Sequence, residues 1–594
     1  MVFVYGVCRS QFVSERFYGL VSAHYDIEEV RSQVRFGIRD VRECRMRKRV
    51  LIIGGVAGGA SCAARLRRLD ESAEIVVFEK GPFVSFANCG LPYYVGNAIQ
   101  NEKNLLQATP QLFRKRFNID IRVEHEVISI DRTRCEIEVK NLKDGEVLRE
   151  RYDALVLSPG AQPIVPKLDG VNLRGIFTLR NIPDSRKIRE WIEKNNVARA
   201  LVIGAGFIGI EMTENLRERG MDVTLVELSN QVLPQFDLEI AAYMKERLEE
   251  NGVKAILGDA VESFKTAGDG ILARLSSGKS VTAGIVILSV GVKPETELAS
   301  AAGIELNERG YIRVDDRMKS SDPKIWAVGD AVEVRDSIFG MKTSVPLAGP
   351  ANRQGRIAAD NIAGRDSRFR GVQGTAVVGA FGMTLALTGY TEKMLKKVSA
   401  LDYESAWIHP FDHATYYPGA TRIHMKMTFA KDGKILGVQA AGEKGVEKRI
   451  DVISAFIQKN GTIFDLEEAE LCYAPQYGSA KDAVNMLGFI SANLFRGDHP
   501  TLDWSKLEES LKNGAILIDV REPDEFSRGT IPEAKNIPLS VLREKVNELP
   551  RDKELLIFCQ VGQRGYYATK FLNENGFNAK NLSGGYSTWL KLKG

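Results

Sequence analysis

Two cysteines stand in sequence surroundings that suit a reactive thiol. Cys89 lies in the polar, glycine-containing stretch Ser85–Tyr94, and Cys559 begins the segment Cys559–Arg564 between an apolar run and a helical pattern. A thiolate attacks disulfide or sulfane sulfur, and backbone N–H groups or cations around it favour the charged form. Cys89 has no second cysteine in its segment, so it would act as a lone thiol. The alternative for both residues is a buried, inert cysteine.

Two units of strand, glycine loop and helix have the pattern of dinucleotide-binding sites. In such a unit the backbone N–H groups and the helix N-terminus meet a pyrophosphate, and an acid after the next strand binds a ribose hydroxyl. The first unit offers Gly54, Gly55, Val56, Ala57, Gly58 and the acid Glu79, with valine where the middle glycine is expected; the second offers Gly204, Gly206, Gly209 and the acid Glu227. Two ordinary glycine-rich turns are the alternative interpretation.

The composition favours a multidomain enzyme over a scaffold or a nucleic-acid binder. The 594 residues are 44% hydrophobic, and this length suits several domains of ~100–200 residues. The formal net charge of +4 is carried by residues 1–49, so the neutral remainder predicts no nucleic-acid partner. The 7 cysteines form no CxxC pair, which argues against a disulfide framework or a structural zinc site.

The sequence also predicts a protein without a membrane anchor. The uncharged stretch 371–391 contains five glycines and four threonines, which favour strands over a membrane-spanning helix. No signal peptide is evident, so we expect a cytoplasmic protein. Residues 1–45 show no sustained period and precede Met46, and we expect a disordered extension or an upstream translation without function.

A further segment points to a flavin. The strand-like run from Lys324 ends in Gly329-Asp330, where the glycine permits close approach and the carboxylate can accept from a hydroxyl. With the two glycine loops, residues 47–493 resemble the pyridine nucleotide–disulfide reductase family. The resemblance implies FAD at the first loop and at Asp330, and NAD(P)H at the second loop. Glu227 would repel a 2′-phosphate, so NADH is expected in preference to NADPH.

The resemblance predicts an α/β fold with four parts. These are two Rossmann-like dinucleotide-binding domains, an α+β dimerisation domain and a C-terminal rhodanese-like α/β domain. The predicted boundaries are 46–160 with 286–370 for the FAD-binding domain, 161–285 for the NAD(P)H-binding domain, 371–495 for the dimerisation domain and 500–594 for the rhodanese domain.

Residues around Cys89 resemble the single-cysteine branch of the family, which acts on coenzyme A disulfide. Dithiol members carry two cysteines about five positions apart, whereas position 94 is tyrosine here. The peroxidase and oxidase branch carries a histidine at the position of Ala57. By this resemblance Tyr416 and Tyr473 lie beside the reactive cysteine of the other subunit of a homodimer. Tyr417 and Tyr477 are the alternatives for this role.

Coenzyme A carries phosphates, so its site needs cations. The resemblance suggests a substrate-binding set of Ser61, Arg65, Arg68, Ser85, Asn88 and Lys481. Two of these arginines are three positions apart and share one helical face. An ordinary solvated charged face is an equally good explanation of that pair.

The last 95 residues resemble the single-domain rhodanese family. The resemblance rests on the segment Asp519–Phe526, the Cys559 loop, the run Leu582–Gly585 and Trp589. It implies that Cys559 carries sulfane sulfur as a persulfide, cradled by backbone N–H groups of a six-residue loop whose last residue, Arg564, pairs with acidic groups. A module that only docks partners is the alternative.

Together these features predict a homodimeric flavoprotein reductase fused to a rhodanese. NADH would reduce FAD, the flavin would reduce Cys89, and Cys89 would reduce coenzyme A disulfide, coenzyme A persulfide or polysulfide. Cys559 would relay sulfane sulfur from donors. Two alternatives stay open: an NADH oxidase or peroxidase that uses a Cys89 sulfenic acid, and a redox-sensing flavoprotein.

Overall fold

A computed structural model describes residues 47–268, 270–398 and 402–593, and the extension predicted over residues 1–45 lies outside them. The architecture is α/β, as predicted. Within the described ranges, no helix has both the length and the apolar character needed to cross a bilayer.

The first nucleotide-binding domain begins with a strand whose interior residues, Val50, Leu51 and Ile52, are completely buried. Such an apolar run suits a parallel strand that is covered on both faces. The elements of residues 47–157 are the strands β1 (Arg49–Ile53), β2 (Glu74–Glu79), β3 (Asp120–Val123), β4 (His125–Asp131), β5 (Glu136–Asn141), β6 (Val147–Arg151) and β7 (Ala154–Leu157), and the helices α1 (Ala57–Leu69), α2 (Leu91–Val95) and α3 (Pro110–Phe117).

The second nucleotide-binding domain repeats the same plan. Its first strand leads through a glycine loop into a helix and then into a parallel neighbour, with Ala200 opposite Val223. The elements of residues 161–288 are the strands β8 (Ala161–Pro163), β9 (Ile176–Phe177), β10 (Arg199–Ile203), β11 (Asp222–Glu227), β12 (Lys254–Leu257), β13 (Val261–Ala267), β14 (Gly270–Leu275), β15 (Ser280–Ala283) and β16 (Ile285–Leu288), and the helices α4 (Ile182–Lys194), α5 (Phe207–Glu218) and α6 (Leu238–Glu250).

The chain then returns to complete the first domain. The elements of this segment are the strands β17 (Val292–Pro294), β18 (Ile312–Arg313), β19 (Ile325–Ala327), β20 (Val332–Arg335) and β21 (Lys342–Thr343), and the helices α7 (Glu297–Ala301) and α8 (Ala348–Ile362). The first domain's parallel sheet has the order β19-β7-β1-β2-β3, and the second has β12-β11-β10-β16-β9. Helix α8 crosses α1 closely, since a Cβ at Gly355 would lie 2.2 Å from the carbonyl oxygen of Gly58.

The sheet pairing corrects one predicted boundary. Strand β16 pairs in parallel with β10, with Ile285 opposite Ala200 and Leu288 opposite Ile203. It therefore belongs to the second sheet, whereas the predicted boundary placed residues from 286 onward in the first domain. The crossing back comes after this strand, where β17 pairs antiparallel with β8. The sequence alone could not assign β16 to one of the two domains, because β16 is an apolar run that would fit either buried sheet.

A five-stranded antiparallel sheet of order β22-β23-β26-β25-β24 forms the dimerisation domain. The central strand β26 is buried at every residue, and α10 lies against it. The elements are the strands β22 (Ala376–Ala380), β23 (Met383–Gly389), β24 (Tyr403–Ile408), β25 (Ile423–Ala430) and β26 (Ile435–Gly442), and the helices α9 (Glu392–Leu395), α10 (Val446–Ile457), α11 (Ile463–Glu467) and α12 (Ala483–Phe495).

The carboxyl-terminal domain is a small parallel sheet of order β27-β31-β30-β28-β29 with its own buried core. Its elements are the strands β27 (Thr501–Leu502), β28 (Ile516–Asp519), β29 (Lys535–Asn536), β30 (Glu554–Phe558) and β31 (Asn578–Leu582), and the helices α13 (Leu507–Lys512), α14 (Pro523–Ser527), α15 (Leu542–Lys545), α16 (Gln563–Glu574) and α17 (Gly585–Lys593). Short 3₁₀ turns complete the described chain at Asn88–Gly90, Glu102–Leu105, Trp504–Lys506 and Val546–Glu548.

A buried ionic cluster joins the second nucleotide-binding domain to the dimerisation domain. The Lys426 ammonium lies 2.9 Å from Asp237, 2.5 Å from Glu239 and 2.6 Å from Glu392. Three carboxylates this close could hold a metal ion, but the Lys426 ammonium already contacts all three of them. Burial acts to raise the pKa of Glu392, yet the charge of Lys426 outweighs it and holds that pKa at about 2.

Replacing Lys426 by methionine should destabilise the protein strongly. The change removes the cation that contacts all three of these carboxylates, two of them buried and one half-buried, and breaking a buried ion pair costs about 3–5 kcal/mol. The measurement is the midpoint of thermal unfolding. Lys431→Met is the matched control because Lys431 pairs with Glu404 at the surface, where a pair contributes about 1 kcal/mol or less. Equal shifts of the unfolding midpoint in Lys426→Met and Lys431→Met would contradict the interpretation of the Lys426 cluster as a buried ionic cluster.

Candidate active site between the two nucleotide-binding domains

The first glycine loop has the close packing that a dinucleotide cradle needs. Gly54 has a φ of +94°, and a Cβ there would lie 2.1 Å from the carbonyl oxygen of Ser158; a Cβ at Gly59 would lie 1.9 Å from that of Gly54. The Glu79 carboxylate accepts hydrogen bonds from the N–H groups of Gly55 at 2.9 Å and Gly81 at 2.8 Å. Helix α1 begins at Ala57, directly after Val56, so its N-terminus faces the loop.

The second loop reproduces this geometry. Gly204 has a φ of +97°, and a Cβ at Gly209 would lie 1.9 Å from its carbonyl oxygen. A Cβ at Gly206 would meet nothing within 4 Å, so this part of the loop borders open space that a pyrophosphate can enter. The Glu227 carboxylate accepts from the N–H groups of Ala205 at 2.7 Å and Ser229 at 2.8 Å. Both acids therefore brace the loops that they follow.

Asp330 is suited to bind a polar ligand group. It follows Gly329, which has a φ of +87°, at the carboxyl end of β19. Burial raises the pKa of the Asp330 carboxyl, and the charge of Arg180 partly offsets this. No hydrogen bond to its side chain is found among the described residues, so the carboxylate is free to accept from a ligand hydroxyl. The first loop, Glu79 and Asp330 together fit FAD.

Cys89 lies between the two nucleotide-binding domains. It occupies the 3₁₀ turn Asn88–Gly90, directly before α2, and is exposed. Partial burial, Glu211 of the second domain and Asp330 of the first domain all raise the pKa of its thiol. Within one chain the surroundings thus favour the protonated thiol over the thiolate.

Glu211 is a site residue that the sequence reasoning missed. It lies on α5 and is hydrogen-bonded to Tyr93, four positions after Cys89. Burial first, and then the neighbouring charge of Glu214, raise the pKa of Glu211 to about 7. Its position two residues after Gly209 was a possible signal, since this places it at the start of the second turn of the helix that follows the second loop.

Replacing Glu211 by glutamine should lower the pKa of the Cys89 thiol. The ionised carboxylate disfavours a second negative charge nearby, and glutamine removes that charge at constant size. The measurement is the pH dependence of Cys89 alkylation by iodoacetamide, followed by mass spectrometry, with a midpoint expected below that of the parent protein. Glu218→Gln, farther along α5, is the control, and an unchanged or higher midpoint in Glu211→Gln would refute the prediction.

Four of the six predicted substrate-binding residues line one cavity of about 350 Å³. Beside Ser61, Arg65, Arg68 and Ser85, the cavity is bordered by Phe113, Phe117, Asn352 and Arg356. The Arg65 guanidinium is paired with Asp360 at 2.7 Å, so the pocket's positive charge comes mainly from the other two arginines. Arg356 was missed because α8 lies almost three hundred residues away from α1 in the sequence. Within one chain, Asn88 and Lys481 are exposed and do not line this cavity.

The two predicted tyrosines meet each other. Their hydroxyl groups, on Tyr416 and Tyr473, are 2.5 Å apart, and both side chains are exposed. This contact raises the pKa of Tyr416 above its usual value. Tyr417 instead lies against the His413 ring, with centroids 5.7 Å apart, and Tyr477 is exposed without joining the pair. The sequence reasoning therefore selected two residues that the fold brings together.

Cys559 is buried at the carboxyl end of β30, with 1% of its surface exposed. Its loop is shorter than predicted: Gly562 adopts a φ of +91°, and α16 begins at Gln563. Because the turn at Gly562 ends the loop two residues before Arg564, Arg564 lies in the first turn of α16. Arg564 donates to both carboxylate oxygens of Glu525, at 2.6 and 2.7 Å, and contacts the Cys559 thiol.

Two dinucleotide cradles with an exposed thiol between them define a nucleotide-dependent thiol oxidoreductase. A family model described as pyridine nucleotide-disulphide oxidoreductase matches residues 48–355, and the dimerisation domain of that family matches residues 375–483. A rhodanese-like domain matches residues 503–592. The chain belongs to the pyridine nucleotide-disulphide oxidoreductase family, which confirms the predicted family and classes of domain and implies FAD and NAD(P)H as cofactors.

Relatives with known structures share almost the whole architecture. The reduced CoADR-RHD of Bacillus anthracis is 46% identical, covers 92% of this chain and 98% of its own, and superposes with a TM-score of 0.90. A NAD-dependent persulfide reductase from A. fulgidus is 36% identical, covers 91% of this chain and 100% of its own, and superposes with a TM-score of 0.86. The coenzyme A disulfide reductase of Staphylococcus haemolyticus is 35% identical over 75% of this chain and 100% of its own.

Proposed function

We propose that the chain is a homodimeric, NADH-dependent reductase of coenzyme A disulfide or coenzyme A persulfide with a sulfurtransferase domain. One observation carries the proposal: Cys89 lies between the two dinucleotide cradles, because it interacts with Asp330 of one domain and Glu211 of the other. The relatives named as a coenzyme A disulfide reductase and a persulfide reductase support the same substrate class. Lone thiols of this kind suit the reducing cytoplasm.

The residues of the first domain would hold the flavin. The N–H groups at the start of α1 would bind the pyrophosphate, Glu79 would bind the adenosine ribose, and Asp330 would accept from a ribityl hydroxyl. FAD, when bound, supplies a two-electron carrier between NADH and the Cys89 sulfur. The second loop and Glu227 would hold NADH on the other side.

Cys89 would act as the nucleophile. Its thiolate attacks one sulfur of the substrate S–S bond, so a mixed disulfide forms and coenzyme A leaves as a thiolate. The Tyr416–Tyr473 pair, contributed by the partner subunit, would donate a proton or a hydrogen bond to the departing sulfur. Two electrons from NADH then release the second coenzyme A and regenerate Cys89. With a persulfide substrate, the released sulfur leaves as hydrogen sulfide.

The cavity lined by Arg68 and Ser85 suits the nucleotide end of coenzyme A. Arg68 and Arg356 provide cations for phosphates, and the rings of Phe113 and Phe117 provide an apolar wall for adenine. Ser85 lines the cavity and lies four positions before Cys89 in the same segment.

The proposed function is tested by NADH oxidation with a panel of electron acceptors. Purified full-length protein is assayed with coenzyme A disulfide, coenzyme A persulfide, polysulfide, hydrogen peroxide and oxygen. We expect kcat/KM to be highest with a coenzyme A substrate. Faster turnover of peroxide or oxygen would identify an oxidase or peroxidase, and negligible turnover of every acceptor would favour a redox sensor. The proposal therefore requires that kcat/KM is highest with coenzyme A disulfide or coenzyme A persulfide.

Replacing Glu227 by alanine should shift the cofactor preference toward NADPH. The carboxylate repels a 2′-phosphate, and the change removes this repulsion while freeing the N–H groups of Ala205 and Ser229. We expect the ratio of kcat/KM for NADH to that for NADPH to fall by about tenfold or more. Asp222→Ala, at the exposed start of the same strand, is the control. An unchanged ratio of kcat/KM for NADH to that for NADPH in Glu227→Ala would contradict the prediction.

A further inference from the structure

The rhodanese domain is docked on the reductase through a small set of specific contacts. Lys591 of α17 pairs with Glu246 of α6, and its ammonium lies 4.9 Å from the centre of the Tyr243 ring. The other face of this junction is formed by His424, whose ring stacks on Tyr243 with centroids 4.0 Å apart. One junction therefore connects the second nucleotide-binding domain, the dimerisation domain and the rhodanese domain.

A hydrogen-bonded pair of histidines lies at the centre of this junction, and the Thr588 hydroxyl lies 3.4 Å from Nε2 of His409. His409 Nε2 is 3.1 Å from the carbonyl oxygen of Gly584, and His409 Nδ1 is 2.7 Å from Nδ1 of His424. The carbonyl oxygen can only accept, so His409 carries its proton on Nε2 and accepts at Nδ1 from His424. Burial lowers the pKa of both rings, which agrees with two neutral tautomers.

The hydrogen bond from His409 ends on the turn that supports the Cys559 loop. Gly584 and Gly585 both have positive φ, and a Cβ at Gly585 would lie 2.5 Å from the Cys559 carbonyl oxygen. The N–H of Tyr586 donates to this same oxygen at 2.9 Å, and the N–H of Ser587 donates to the carbonyl oxygen of Gln560 at 2.9 Å. The turn and the thiol loop are thus in direct contact, so a shift of one displaces the other.

The same part of the dimerisation domain brings a cation near the rhodanese thiol. Arg422 donates from Nη1 to the carbonyl oxygen of His409 at 2.6 Å. Burial lowers the pKa of Arg422, while Cys559 acts in the opposite direction. Arg564 contacts Cys559 from within the rhodanese domain, and Arg422 adds an electrostatic interaction with the thiol from the dimerisation domain.

We propose that His409 of the dimerisation domain is a positioning residue for the rhodanese thiol: its hydrogen bond to Gly584 fixes the turn on which the Cys559 loop rests. The docking of the rhodanese domain on the reductase therefore helps to hold the Cys559 loop in its persulfide-binding form. This inference rests on the proposed sulfurtransferase function of the domain. It adds that the sulfur chemistry of Cys559 depends on a residue outside the rhodanese fold.

The reaction used as a probe is sulfur transfer from thiosulfate to cyanide. The Cys559 thiolate attacks the sulfane sulfur of thiosulfate, the S–S bond breaks, and sulfite leaves with the bonding electron pair. Cyanide then attacks the terminal sulfur of the persulfide, so that thiocyanate forms and the thiolate is regenerated. No external oxidant or reductant is consumed.

The experiment compares full-length His409→Ala and His409→Gln with the parent protein. Glutamine can place an amide N–H near the Nε2 position and so retain the bond to Gly584. We expect kcat for thiocyanate formation to fall by about tenfold or more in His409→Ala and to recover largely in His409→Gln. NADH oxidation with coenzyme A disulfide should be unchanged in both. His125→Gln is the control, since His125 bonds the carbonyl oxygen of Val123 away from the junction.

A second readout keeps the inference separate from the proposed function. The pH profile of Cys559 alkylation is followed by mass spectrometry, and His409→Ala should raise the midpoint because the loop N–H groups no longer converge on the thiolate. If the parent protein forms no thiocyanate, the sulfurtransferase proposal fails, and the midpoint shift still decides the role of His409. An unchanged midpoint in His409→Ala, or equal losses in the alanine and glutamine variants, would overturn the inference.

Discussion

Cys89→Ser should abolish NADH-dependent reduction of every sulfur substrate, with a loss in kcat of at least ~10³-fold. Serine is nearly isosteric with cysteine, but its hydroxyl neither attacks an S–S bond nor carries the electrons that reduce it. The thiol lies between the two dinucleotide cradles and has no second cysteine in its segment. No substitute nucleophile is therefore available to continue the reaction.

The measurement is steady-state NADH oxidation with coenzyme A disulfide and with coenzyme A persulfide, after the flavin content has been shown to be normal. Cys135→Ser is the matched control, because Cys135 is partly buried and is bonded by Lys324 at 3.2 Å. Its activity should remain within about twofold of the parent value. Substantial turnover of a sulfur substrate by Cys89→Ser would show that the catalytic thiol has been wrongly assigned.

Cys559→Ser should remove sulfur transfer while sparing coenzyme A disulfide reduction. Cys559 lies in a separate parallel sheet that contains no dinucleotide loop, and Arg564 and the start of α16 surround it. These groups stabilise a persulfide at this position. We expect thiocyanate formation from thiosulfate and cyanide to fall by at least ~10³-fold, with kcat for coenzyme A disulfide within about twofold of the parent value.

The two cysteine variants serve as controls for each other. Transfer that persists in Cys559→Ser and disappears in Cys89→Ser would contradict the rhodanese assignment. The carboxyl-terminal domain would then be interpreted as a docking module. Loss of both activities in Cys559→Ser would instead indicate that the domain is required for the reductase reaction.

The local elements were predictable because their signals are local. A completely apolar strand followed by a glycine loop and a helix, as at Gly54 and Gly204, has few other stable folds, since the glycines permit the positive φ and the close contacts observed. Each acid, Glu79 and Glu227, comes directly at the end of the next strand. The order of strand, glycine loop, helix and acid along the chain was therefore enough to predict both dinucleotide cradles and the class of ligand.

The sequence was less informative where an apolar strand could fit more than one sheet. The predicted boundary at 285/286 assigned most of β16 to the wrong domain, because an apolar run does not reveal its pairing partner. The length of the Cys559 loop was overestimated for a related reason. Gly562 ends the loop with a positive φ, so the helix begins before Arg564. The backbone angle of a glycine cannot be predicted from its presence in the sequence, because glycine adopts positive and negative φ about equally readily.

By itself the sequence determined the family, the two thiols and the residue types that surround them. The tertiary structure alone decided which distant groups meet: Glu211 beside Cys89, Arg356 beside Arg68, and His409 against the turn that supports Cys559. These contacts join residues that are 122, 288 and 175 positions apart in the sequence. They depend on how sheets and helices pack, and no short-range pattern of residue types encodes that packing.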